Sequence, residues 1–78
     1  MKTIKDHDRI ILTEAIAEHG LQAGDIGVVV YVHEGGDAYE VEFVTLDGKT
    51  AAIVELEPSQ IRVAGNREIP HARPLTAA

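Results

Sequence analysis

The stretch Leu21-Gln-Ala-Gly-Asp-Ile-Gly-Val-Val-Val-Tyr-Val32 constrains the fold of this chain more than any other. Gly24 and Gly27 bracket Asp25 in a tight acidic turn, and an almost unbroken β-branched run follows, which favours a pleated strand over a helix. Strand alternation puts Ile26, Val28, Val30 and Val32 on one face and Gly27, Val29, Tyr31 and His33 on the other. Gly24-Asp25-Ile26-Gly27 lacks the lysine and the following helix of a phosphate loop. Its glycines serve a tight turn and close strand packing, with Asp25 bonding the turn backbone.

Short strands and turns continue on both sides. Arg9-Ile-Ile-Leu12 is long enough for a first strand, and residues 13–24 form the longest connection. Thr13-Glu-Ala-Ile-Ala-Glu-His19 has a plausible N-cap, but Gly20 stops it too early for a stable helix, so a loop with at most one helical turn is expected. Glu34-Gly-Gly-Asp37 closes a hairpin, because Gly35 and Gly36 supply the positive φ that tight turns need. Tyr39-Glu-Val-Glu-Phe43 alternates cleanly, with Tyr39, Val41 and Phe43 inward and Glu40 and Glu42 in water. Leu46-Asp-Gly-Lys49 places Asp47 and Gly48 at the centre of a two-residue type I′ hairpin. The fourth strand, residues 50–56, aims Ala52, Val54 and Leu56 at the core. Glu57-Pro-Ser-Gln60 is a turn or one 3₁₀ turn, and Ile61-Arg-Val63 is a short fifth strand. Five antiparallel strands with a long first connection describe an all-β, SH3-like barrel over residues 1–63. An open meander completed by dimerisation is the alternative. From Ala64 the apolar periodicity stops, and Pro70 and Pro74 make residues 64–78 an extended or flexible tail; Ile69 and Leu75 are its apolar side chains able to dock on a neighbouring surface.

Charge and composition exclude several functions. With 78 residues the chain is one domain, and a domain of this size buries only about 60% of its unfolded surface. No cysteine is present, so thiolate metal sites and cysteine chemistry are out of reach, and a cytoplasmic setting is expected. The charged start carries no signal-peptide run, and nothing approaches the ~20 apolar residues of a membrane span. The net charge of −6 is uneven: residues 1–63 hold five Lys/Arg against twelve Asp/Glu, while residues 64–78 hold Arg67 and Arg73 against Glu68. An acidic body without a basic stripe argues against nucleic acid and for a basic protein surface as partner.

Glu18-His-Gly-Leu-Gln-Ala-Gly-Asp-Ile-Gly-Val-Val-Val, Tyr39-Glu-Val-Glu-Phe43, Asp47-Gly-Lys49 and Pro58-Ser-Gln-Ile-Arg62, in that order, resemble a bacterial domain-of-unknown-function family, number four-nine-two-six, whose members look like small SH3-like barrels. The resemblance spans roughly residues 8–63 and leaves the tail unmatched. It implies a fold but no activity; compact members look like companions of another protein, as antitoxin or immunity partners. Ala-Gly-Asp-Ile-Gly-Val-Val is also similar to the barrel start of the nitrile hydratase β subunit and of KOW-type modules. That likeness implies either an accessory subunit of an enzyme or a nucleic-acid-associated barrel, and a shared fold transfers neither function.

Individual residues point away from catalysis and cofactors. Asp6-His7-Asp8 offers two carboxylates and an imidazole, but neighbours in an extended chain point opposite ways and no second histidine has a ligand spacing. Ser59, the only serine, is expected to bond its own turn. Glu40 and Glu42, about 7 Å apart on one strand face, have no apolar surroundings in sequence to raise a pKa and read as a solvated face. What remains is the second face of the central strands. Val29 and Tyr31 there, with Ile53 and Val44, form a candidate apolar patch rimmed by acids, the usual anatomy of an association site. Its expected occupant is a second copy of the chain, as a homodimer, or a basic protein. Strong curvature and the 13–24 loop, through Ile16 and Leu21, would otherwise cover it.

Overall fold

The computed structural model describes residues 3–75. Five antiparallel strands form one sheet: β1 (Arg9–Leu12), β2 (Ile26–Val32), β3 (Tyr39–Val44), β4 (Thr50–Leu56) and β5 (Ile61–Val63). Their order is β4-β3-β2-β1-β5, so each hairpin pairs in turn and β5 returns to the far side of β1. Three single 3₁₀ turns, Ala17–His19, Glu34–Gly36 and Pro58–Gln60, punctuate the connections. The five-stranded all-β reading therefore holds, with one difference: no ladder joins β4 to β5 among the described residues, and the barrel is not closed.

All five strands nonetheless share one core. Ile10 and Leu12 (β1), Val29 (β2), Tyr39, Val41 and Phe43 (β3), Val54 and Leu56 (β4) and Ile61 (β5) form a single buried cluster, joined by Ile16 and Leu21 from the long loop. The described residues include no α-helix to cover this face. A flat sheet would leave it wet, so burial of Ile10, Val29 and Val41 to 0% exposure requires the sheet to bend over itself. The loop helps at one end, where Ile16 and Leu21 exchange two backbone hydrogen bonds of 3.0 and 3.1 Å and both turn inward. They cap the core and leave the outer face of β2–β4 uncovered.

The faces of β2 differ from simple alternation. Val29 pairs with Val41 but Tyr31 with Glu40, so Val30 is an extra residue opposite one step of β3. Such a bulge reverses which residues point inward. Before it Gly27 and Val29 face the core; after it Val32 packs against the core and Tyr31 stays outside. A second extra residue, Ala51, bends β4 near the hairpin, since Phe43 pairs with Ala52 and Val44 with Thr50.

That hairpin is not type I′. Asp47 is not among the residues with positive φ, whereas Gly48 stands at φ 83°. Gly48 N–H donates to Thr45 O and Thr45 N–H to Lys49 O, both at 2.9 Å. The loop is thus the three-residue form, a turn closed by a left-handed glycine. The Thr45 hydroxyl has both the Asp47 carboxylate and the Lys49 carbonyl within reach of its one proton; this rewards a negative-φ Asp47 and tips the Asp-Gly pair toward the longer loop. The other hairpin follows expectation, with Gly35 at φ 64° and Gly36 at φ 84°.

After β5, Ala64 N–H extends the β1 ladder by donating to Arg9 O at 2.9 Å. The chain then turns at residues 66–67 and passes beside Ile11 and Ile26 to bring Arg73 to Asp25. Residues 76–78 of the tail and residues 1–2 lie outside the described part.

Candidate functional site

Two features of the outer surface carry chemistry: the exposed face of β2–β4, and the point where the tail is fastened. On the first, the ladder sets two rows across three strands. Tyr31 lies opposite Glu40, which lies opposite Glu55; Val28 lies opposite Glu42, which lies opposite Ile53. Tyr31 and Ile53 are 56% and 55% exposed. The glutamates thus run down the middle of the face instead of forming a rim around an apolar centre. His33, half-buried next to Tyr31, donates from Nε2 to Glu40 Oε2 at 3.0 Å and lies 4.0 Å from Glu55 Oε1. Its ring meets Tyr31 edge-on with centroids 4.9 Å apart. Aromatic, imidazole and carboxylate groups therefore lie in one contiguous array, and Glu42 accepts the Thr50 hydroxyl at 2.5 Å.

Two residues of the expected patch lie elsewhere. Val29 is fully buried, because the bulge at Val30 puts it on the core side. Val44 is exposed, but it pairs with Thr50 at the hairpin end, four residues along β3 from Glu40, or about 13 Å. There it borders a groove of about 630 Å³ shared with Leu21, Ile26, Leu46, Pro70 and Leu75. Of the turn residues, Gly24, Gly35, Gly36 and Gly48 take positive φ, and Gly27 does not. Gly27 instead permits a close approach between strands. Ser59 contributes its carbonyl, which accepts the Thr13 hydroxyl at 3.0 Å. Asp8 accepts Lys5 N–H at 2.9 Å, while Asp6 and His7 face solvent; no three ligating side chains come together among the described residues.

The sequence gives no direct signal for the second feature. The tail is pinned twice. Arg62 forks onto Glu68 with two bonds of 2.7 Å, and Gly65 N–H donates to the same carboxylate at 2.6 Å; these contacts lower the Glu68 carboxyl to about 2. Five residues on, Arg73 grips Asp25 through Nε at 2.9 Å and Nη2 at 2.5 Å, and Nη2 also donates to Gly20 O at 2.9 Å. Between the pins Ile69 stands 92% exposed. Ile11 is 7% exposed although it lies outside the core cluster, and it lines a second cleft together with Ile26 and the tail's Pro70.

At Asp25, burial pushes the carboxyl up, yet the Arg73 hydrogen bonds, the Gln22 N–H and the Arg73 charge together outweigh it and leave the group below its ordinary value. A depressed carboxyl favours the folded state above the ordinary aspartate range and loses that contribution as pH falls through its folded value. Side-chain NMR of Arg73 is expected to show the clasp intact down to about pH 4 and opening below it. Asp25→Asn should abolish that acid transition; an unchanged transition would place it at another carboxylate.

The sequence model of a family described as a domain of unknown function, DUF4926, matches residues 6–63. The chain belongs to the DUF4926 family. The match takes in all five strands, Asp25 and the Tyr31–Glu40–Glu55 row, and stops where the tail begins. No curated protein and no solved structure matches the chain. Among the described residues no helix of this DUF4926 protein is long and apolar enough to cross a membrane.

Proposed function

We propose that this DUF4926 protein is a non-enzymatic interaction module that holds a basic protein surface on the outer face of β2–β4. The observation that carries the reading is the interleaving of exposed Tyr31 and Ile53 with Glu40, Glu42 and Glu55 on one face. Apolar contact supplies affinity and the carboxylates select and steer a cationic partner. The same carboxylates repel phosphate, which disfavours nucleic acid.

The test is affinity capture from the host with wild-type, Tyr31→Ala and Glu42→Lys baits. Tyr31→Ala should leave stability within about 0.5 kcal/mol, as surface changes do, and weaken partner retention about tenfold or more, the usual effect of removing an aromatic anchor. Glu42→Lys should act mainly on salt-sensitive association. An identical set of partners on all three baits, or salt-sensitive retention on nucleic acid in their place, would sink the reading.

A further inference from the structure

Arg73 is held as a bound ligand would be held. Its guanidinium makes four hydrogen bonds, two to Asp25, one to the Gly20 carbonyl and one at 3.3 Å to the carbonyl of neighbouring Pro74, and the Arg73–Asp25 pair is mostly shielded, with side-chain exposures of 24% and 18%. The planar fork satisfies a carboxylate and a carbonyl at once, which an ammonium group does with less geometric discrimination.

The acceptor is built without the tail. Gln22 N–H fixes Asp25 Oδ2 at 2.8 Å. Gly24 N–H to Leu12 O at 2.8 Å and Leu12 N–H to Asp25 O at 2.9 Å lock that turn onto β1. Gly20 is set by its left-handed φ of 68° beside the Ile16–Leu21 bridge. Every one of these residues falls inside the family match at 6–63, whereas the arginine comes from outside it.

The ligand side is the reverse. From Ile69 to Leu75 the tail joins no strand ladder, and Pro70 and Pro74 hold it extended. It is attached there by side chains, above all Arg73. A segment so held can be exchanged for another of the same chemistry without unpairing the sheet.

We infer that the Asp25 carboxylate and Gly20 carbonyl form an arginine-recognition pocket for an extended, proline-flanked peptide of a partner protein, and that the tail occupies this pocket in cis as a competing ligand. The acidic body complements such a peptide. The inference goes beyond the proposed function, because it uses the start of β2 and not the Tyr31 face; either can fail while the other stands.

The probe is a capped synthetic peptide of residues 69–75, with a counterpart carrying lysine in place of the arginine. Both are titrated into full-length wild-type and Arg73→Ala protein and followed by backbone amide NMR and calorimetry. The arginine peptide should bind Arg73→Ala with shifts centred on Gly20, Leu21 and Gln22. It should bind wild type at least tenfold more weakly, because the tethered arginine competes at millimolar effective concentration. The lysine peptide should bind Arg73→Ala at least tenfold more weakly than the arginine peptide, and Asp25→Asn combined with Arg73→Ala should bind neither. No shifts in Arg73→Ala at millimolar peptide, equal binding of the two peptides, or equal binding by wild type would each overturn the inference. The Arg73→Ala arm and the lysine peptide decide it even where Asp25→Asn disturbs the turn.

Discussion

Gly27→Ala is expected to destabilise the protein by about 1–3 kcal/mol or more, the cost of overpacking a filled core. Gly27 lies between Ile10 on β1 and β3, and its φ is not in the left-handed region, so backbone strain is not the obstacle. Space is. An added Cβ would stand 2.5 Å from Val41 Cγ1, 2.8 Å from Phe43 Cε2 and 3.0 Å from the Glu42 carbonyl. Val41 is β-branched with few rotamers open to it, Phe43 is 3% exposed, and the carbonyl belongs to the ladder. For a domain of this size each kcal/mol moves the thermal midpoint by about 4–8 °C, so calorimetry should show a drop of roughly 5–25 °C. Phe43→Leu in the same chain removes one of the three obstructions and should recover part of the loss, giving a double-mutant coupling of the sign that a steric clash requires. A Gly27→Ala protein within 0.5 kcal/mol of wild type would mean that β2 and β3 do not approach as closely as described.

The same approach explains what the sequence could and could not disclose. Tyr39–Phe43 alternates apolar with charged residues, so its faces are legible, and they are the faces observed. Residues 26–32 are apolar throughout apart from Gly27. Alternation there carries no information about direction, and the bulge at Val30 then reverses the parity half-way. Strict alternation therefore puts Tyr31 on the outer face, where it lies, and carries Val29 there with it, although Val29 is buried. The Asp47-Gly48 pair suits both two- and three-residue hairpins, and Thr45, outside the dipeptide, decides between them. The Asp25–Arg73 clasp joins residues 48 apart in sequence. Its one trace in the sequence is the opposite charge balance of body and tail, which names neither partner.

Leu56→Ala and Ile53→Ala, three residues apart on β4, are expected to differ as much as any two substitutions in the protein. Leu56 is 1% exposed, lies opposite Tyr39 and belongs to the core shared by all five strands. Truncating it removes apolar burial and leaves a cavity that neighbours on a bent, singly covered sheet fill only in part; the cost is about 2–5 kcal/mol. Set against a total stability of about 4–12 kcal/mol for a chain of this length, that is a large share of the whole. Ile53 is 55% exposed on the other face, where its loss removes little contact and should stay within about 0.5 kcal/mol. Urea unfolding separates the two: Leu56→Ala should lower the midpoint with the slope unchanged, since the surface exposed on unfolding hardly alters, and Ile53→Ala should leave the curve in place. A loss above about 1 kcal/mol at Ile53 would mean that the outer face of β4 is already covered in the isolated protein, and with it the surface assigned to a partner. An unshifted curve leaves the outer face of β4 free of structural duty, as the proposed partner surface requires.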